Sequence, residues 1–203
     1  MNETLVARLV GARRSALVTL ITLVTLWTLI GLHTVAAQPT PGPLPLTVEG
    51  ISVDVQDGDT FVLRDEAGRP MRIRVAGIDA PEKSQPWADR SRQHLRELLR
   101  AQRVQVLPIK QDVFGRTVAR VHVLRPGGDM PLDAAQAQID AGLAWHFKRY
   151  KSDQSRDEFV RYAQAERQAR AAGLGLWADP QPQAPWLFRA ENRSGSAARS
   201  QRP

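Results

Sequence analysis

Cysteine is missing altogether from this chain of 203 residues, and with it go a disulfide scaffold, a thiolate zinc site and a thiol nucleophile. Its absence leaves the compartment open, because a chain without thiols is safe in oxidising and reducing surroundings alike. Histidine is scarce, at four residues. The three beyond residue 37 (His94, His122 and His146) show no metal-ligand spacing, so structural roles are expected of them. Internal repeats are absent too. Acidic residues fall short of basic ones, 21 against 28, leaving a formal charge of +7. That surplus favours a polyanionic partner, although charge alone does not separate nucleic acid from a lipid surface. What is present is enough apolar material, 42%, to build a core and exclude general disorder. At about 100–200 residues per domain, the length suits one folded domain with attachments.

The first attachment is N-terminal. Arg8, Arg13 and Arg14 precede an uncharged run from Ser15 to Leu32, and Val35 and Ala37 place small residues before Gln38-Pro39. This is the pattern of a secretory signal cleaved after Ala37, which would carry the rest of the protein out of the cytoplasm to the periplasm or medium. The alternative is an uncleaved membrane anchor: eighteen uncharged residues lie at the short end of what spans a bilayer, about 17–25, and four threonines dilute them. Residues 1–37 hold three Arg and one Glu, so their removal still leaves a surplus of five positive charges.

Pro39, Pro41, Pro43 and Pro45 stiffen a linker over residues 38–46. Period-two alternation then predicts strands at 51–55, 71–75 and 104–107 within a domain spanning 47–178. Asp57-Gly58 and Glu66 to Pro70 are the turns of a three-stranded meander. A helix is expected over 86–102, a fourth strand over 103–109 and a fifth over 116–124. Further helices are expected at 132–141, closed by Gly142, and 155–171, ending at Ala172-Gly173. The fold class is α+β, a five-stranded OB-type β-barrel with about three helices packed on it. Residues 179–203 read as a Pro/Ser/Arg-rich tail, largely disordered, in which only Pro185 to Phe188 are expected to dock on the domain.

Three carboxylates stand in turns: Asp59 in Asp57-Gly58-Asp59-Thr60, and Asp79 and Glu82 in Gly77-Ile78-Asp79-Ala80-Pro81-Glu82. Either motif alone is ordinary turn chemistry. At the ends of neighbouring strands, however, Asp59 and Asp79 could lie side by side, where they repel unless a cation sits between them. Hard oxygen donors without cysteine select Ca²⁺ or Mg²⁺ over zinc or copper. Arg74 lies five residues before Asp79, and Arg116 follows Gly115 at the entry to the fifth strand. Two guanidinium forks beside such a pair suit a phosphodiester.

On these residues the sequence resembles the staphylococcal nuclease-like (thermonuclease) family. The matching pieces are Asp57 to Thr60, Arg74 to Glu82, Asp112 to Arg116, Gly142-Leu143-Ala144-Trp145, and Ala165-Glu166 leading to Gly175-Leu176-Trp177. They stand in family order across about residues 50–177. The resemblance implies an OB-fold, Ca²⁺-dependent phosphodiesterase that cuts DNA and RNA with little sequence preference and leaves 3′-phosphates. It implies Asp59 and Asp79 as side-chain calcium ligands, with the backbone carbonyl of Ala80 where the family often has Thr. It implies Glu82 as the group that activates water, and Arg74 and Arg116 as the clamp on the scissile phosphate. Two departures stand out. Val113-Phe114 replaces a Lys-Tyr pair, so a phenolic hydroxyl is missing, and Met130 to Gln138 lacks the usual Val-Asn pair.

Lys148 and Tyr150, a cation and an aromatic in Phe147 to Lys151, are candidate contacts for a phosphate and a base. Trp87, Trp145 and Trp177 are expected in the core, and Arg156, Arg161, Arg167 and Arg170 on a wet helix face. The expected partner is single-stranded DNA or RNA, with the protein a monomer and no obligate protein partner. The competing reading is a catalytically inactive OB module that binds single-stranded nucleic acid. The joint presence of Asp59, Arg74, Asp79, Glu82 and Arg116 favours the enzyme.

Overall fold

Alternating apolar residues build the barrel. Val48–Val55 (β1), Thr60–Asp65 (β2) and Pro70–Val75 (β3) form an antiparallel meander in the computed structural model, which describes residues 46–127 and 130–200. In β1–β2, Ile51 faces Arg64 and Val55 faces Phe61, with a register shift between Ser52 and Asp54. In β2–β3, Thr60 faces Arg74 and Leu63 faces Met71. Arg103–Gln111 (β5) pairs with β1, and Thr117–Leu124 (β6) pairs with β5. The β5–β6 register shifts between Pro108 and Lys110, where proline supplies no ladder donor. Parallel pairing of β3 with β6, Ile73 opposite Thr117 and Val75 opposite Ala119, closes the five strands into a barrel.

Inward positions follow the period of two: Phe61 and Leu63, Ile73 and Val75, Val104 and Val106, Ala119, Val121 and Val123 are all buried in one cluster. Helix α1 (Ala88–Leu99) adds Leu95 and Leu99 to it, and α2 (Ala134–Asp140) adds Ile139. Two-residue strands Ile78–Asp79 (β4) and Trp145–His146 (β8) pair outside the barrel, and Leu132–Asp133 (β7) extends β6. A second cluster joins Trp145, Ala169, Leu176, Trp177 and Ala184, with Trp87 and Trp186 packed against it. It ties α3 (Arg156–Ala171) and α4 (Pro185–Ser200) to the domain. Trp145 and Trp177 are thus core residues, as the sequence suggests. Arg170 is exposed, as expected of the wet face, and its guanidinium also lies over the rings of both, 4.9 and 3.9 Å from their centroids.

Three element boundaries are corrected. The first helix starts at Ala88 and not at 86, because Trp87 has φ +71°, and it stops before Ala101, at φ +55°. The second helix starts at Ala134, because Leu132 and Asp133 pair with β6 and the Asp133 carboxylate caps Ala135 and Gln136. The tail is helical over Pro185–Ser200 and not largely disordered. The expected docking of Pro185 to Phe188 is the reason: Trp186 stacks on Phe147 with centroids 5.4 Å apart and meets Trp145 edge-on. The signal or anchor at 1–37, and the linker apart from Leu46, lie outside the described residues. Among the described residues, no helix is long and apolar enough to cross a membrane.

Candidate active site

Strand register decides which functional residues meet. Thr60 opens β2, Arg74 pairs with it near the end of β3, and Thr117 opens β6 beside Ile73. The turn before β2, the corner after β3 and the turn before β6 therefore share one end of the barrel.

The first of these turns holds Asp59. Its N–H donates to Asp57 Oδ1 at 3.0 Å, and its carbonyl accepts from Val75 N at 2.8 Å. Gly58 is required here, because a Cβ would strike the Ser91 hydroxyl and the Ala80 methyl. Gln138, fully buried in α2, donates to the Gly58 carbonyl at 2.5 Å and to Ser91 O at 3.1 Å. It lies within the segment that lacks the family's Val-Asn pair and pins the turn against α1.

The corner after β3 turns on Gly77, at φ +78°. Ile78 and Asp79 then pair with His146 and Trp145 of β8. Ala80 N donates to Asp59 Oδ2 at 2.7 Å, joining the two acidic motifs directly. Asp59 and Asp79 are both buried, 5% and 1% exposed. Arg74 bridges them, with Nη1 3.1 Å from Asp59 Oδ2 and Nη2 3.0 Å from Asp79 Oδ1. Glu82 is half-exposed in a turn with Gln85, whose side chain accepts from Glu82 N at 2.9 Å. Arg116 is held by Asp112, Nε to Oδ2 at 2.7 Å, and its Nη1 reaches Thr60 Oγ1 at 3.4 Å; Thr60 in turn donates to Asp59 Oδ1 at 3.0 Å. Phe114 lies under the Arg116 guanidinium, 5.4 Å from ring centroid to carbon, and is largely exposed.

Burial acts on these carboxylates. Asp57 is lifted to about 7, first by desolvation and then by the charge of Asp59. Asp79 is also raised by burial, against the opposing pull of Arg189 and Arg74. Asp112 goes the other way: burial alone would raise it, but hydrogen bonds from the backbone and side chain of Arg116 and from Phe114 N outweigh that.

Asp59, Arg74, Asp79, Ala80, Glu82 and Arg116 are thus brought to one place. Lys148 and Tyr150 make separate contacts. Lys148 pairs with buried Glu166 at 2.7 Å, and exposed Tyr150 lies under Lys110 Nζ, 4.7 Å from its centroid. One residue at the site escapes sequence reading. Arg189 of α4 places Nη2 2.7 Å from Asp79 Oδ2, and Nη1 3.2 Å from Asp79 Oδ1 and 2.5 Å from Glu82 Oε1. The signal that pointed toward it was the docking segment Pro185 to Phe188, which ends one residue before it.

The donor chemistry fits a hard divalent cation: two buried carboxylates within reach of one guanidinium, an adjoining backbone carbonyl at Ala80, and a second cationic group already seated on Asp79. Among the described residues no three His, Cys, Asp or Glu side chains are grouped to hold a metal. A cation here would rest on two side chains, the carbonyl and solvent.

A closed OB-type barrel carrying an oxygen-rich, arginine-flanked site at one end defines the class. Within it, the profile described as staphylococcal nuclease homologue matches residues 72–179. A micrococcal nuclease of Shigella flexneri is 36% identical over 151 residues, 72% of this chain and 83% of that protein. An uncharacterised endonuclease of Haemophilus influenzae is 31% identical over 145 residues, 71% and 75% of the two chains. A probable staphylococcal-like nuclease of Oryza sativa subsp. japonica is 38% identical over 126 residues, 62% of this chain and 31% of that one. The chain belongs to the staphylococcal nuclease homologue family.

Proposed function

We propose that this protein is a Ca²⁺-dependent nuclease, exported from the cytoplasm, that hydrolyses phosphodiester bonds of DNA and RNA with little sequence preference. The observation that carries the reading is the meeting of Asp59, Arg74 and Asp79 within hydrogen-bond distance, with Glu82 and Arg116 beside them. Family membership makes the chain a hydrolase of nucleic-acid esters; the residues suggest how the work is divided.

Asp59, Asp79 and the Ala80 carbonyl would hold calcium, which when bound supplies Lewis-acid polarisation of a phosphoryl oxygen and a fixed template. Glu82 accepts a proton from the attacking water as that water's oxygen bonds to phosphorus. The P–O5′ bond breaks in line, the departing 5′ oxygen takes a proton from solvent to become the 5′-hydroxyl, and the phosphate stays on the 3′ side. Arg116, oriented by Asp112, stabilises the charge gathering at the phosphoryl group and the departing oxygen. Arg74, already in the same carboxylate cluster, turns its second fork edge to the phosphate. Lys148 and Tyr150 are proposed to contact the flanking strand. Export rests on residues 8–37, with the uncleaved anchor as the alternative, and the protein is taken to act as a monomer.

The test is digestion of heat-denatured DNA by the purified protein with Ca²⁺, with Mg²⁺ and with chelator, followed by end analysis. Calcium-dependent cleavage yielding 3′-phosphates is expected. Salt-sensitive binding without cleavage in any ion would replace the enzyme with the inactive binding module.

A further inference from the structure

The contact that the reaction does not explain is the one made by Arg189. Its guanidinium uses both Asp79 oxygens and one Glu82 oxygen, at 2.5 to 3.2 Å. With Arg74 also on Asp79 Oδ1 at 3.0 Å, Asp79 accepts three hydrogen bonds from two cationic groups. A carboxylate so engaged offers little to a divalent cation, and the Glu82 oxygen that Arg189 occupies is not open to a water.

We propose that α4 is a built-in brake on the active site: Arg189 competes with the divalent cation for Asp79 and masks Glu82, and the helix must let go for the site to work. This inference rests on the calcium-dependent reading given above.

The helix is attached in a way that suits release. Its inner side is fixed by buried Ala184 and by Trp186, which stacks on Phe147 and meets Trp145 edge-on. A side-chain bond from Gln85 Nε2 to the Gln183 carbonyl, 3.1 Å, steadies the segment before it, and Gln183 Nε2 donates to Glu191 Oε2 of the helix at 2.7 Å. Leu187, the residue after Trp186, is exposed. Arg189 is about one-third exposed and Glu82 comparably so, so water reaches that pair and weakens it, while the pair with buried Asp79 is the firmer hold. The same Gln85 receives the Glu82 N–H, so the turn carrying the proton acceptor and the entry to α4 are mechanically joined. When the competent form is only a fraction of the population, apparent affinity for the cation falls by that fraction. Removing the competitor should restore it.

The experiment is calorimetric titration of the full chain with calcium, for wild type, Arg189→Ala and Arg193→Ala. The last removes an exposed charge from the same helix and controls for charge alone. Arg189→Ala is expected to bind calcium at least tenfold more tightly, with Arg193→Ala within twofold of wild type. Equal affinity in all three overturns the brake while leaving calcium binding intact. No uptake by any of them at millimolar calcium overturns both the brake and the calcium reading beneath it.

Should Arg189→Ala not fold, trypsin cleavage of the wild type decides. Scission at Arg189-Ala190, mapped by mass spectrometry, should speed up several-fold when calcium is added. Unchanged or slower scission overturns the proposal. A variant with weakened DNA binding and unaltered calcium affinity also overturns it, since Arg189 would then be a substrate contact.

Discussion

Asp57 and Asp79 are both lifted by burial, but only Asp79 has guanidinium partners to oppose the lift to any great extent. Asp57 has its neighbour Asp59 adding to it, and its pKa reaches about 7 against an ordinary value of 3.8. Between those two pH values the folded protein keeps a proton that the unfolded chain has released. The stability so contributed is full below about pH 4 and is lost as pH rises through 7. Asp57→Asn, which keeps the oxygen that accepts from Asp59 N, is expected to be more stable than wild type above pH 7, by on the order of 2 kcal/mol in chelator, and no more stable near pH 4. Urea unfolding at both pH values checks this. At Arg116, a Lys keeps the charge and loses the fork held by Asp112. Arg116→Lys is expected to lower turnover by about 10²-fold or more at saturating substrate. The residues of this site were legible where short motifs carry them: Asp59 with its Asp-Gly-Asp turn, and Arg74, Asp79 and Glu82 in one run of nine. Arg189 was not, because it comes from 107 residues beyond Glu82 and its meaning exists only once α4 has docked.

Among the elements, strands were read well because a barrel wall buries every second residue, and period two survives in the sequence of β1, β3 and β5. Helix ends were read less well, because conformation at Trp87 and pairing at Leu132-Asp133 are set by tertiary neighbours. Helix α4 failed for a related reason. Its composition is that of a soluble tail, and its helical state leans on Trp145 and Phe147, far away in sequence. By contrast α3 announces itself. Ser155 accepts from Glu158 N while the Glu158 side chain accepts from Ser155 N, a capping box. Ser155→Ala is expected to cost about 1 kcal/mol in chemical unfolding. A harsher test lies where the chain passes itself at Gly142 and Gly175. Both have positive φ, and a Cβ on Gly142 would run into the Leu174 carbonyl. Leu176 N donates to Gly142 O at 2.8 Å across that crossing. Gly142→Ala is expected to destabilise by about 3 kcal/mol or more, since strain and a backbone clash add.

For the whole molecule, the basic surplus and the site belong to one account. A net charge of +7 attracts any polyanion, and on the proposed function what turns attraction into chemistry is the small set of carboxylates offered to a cation and a water. Binding to single-stranded DNA should weaken with salt by a slope of about −0.7 in log–log form for each phosphate neutralised, so three cations at the strand predict about −2. The most direct test of the central claim, that Glu82 activates water at a site built on Asp59 and Asp79, is single-turnover cleavage of heat-denatured DNA by wild type and Glu82→Gln at saturating calcium, with DNA binding measured alongside. The account predicts at least a 10²-fold loss of cleavage with calcium-dependent binding preserved. Near-full turnover by Glu82→Gln would contradict it.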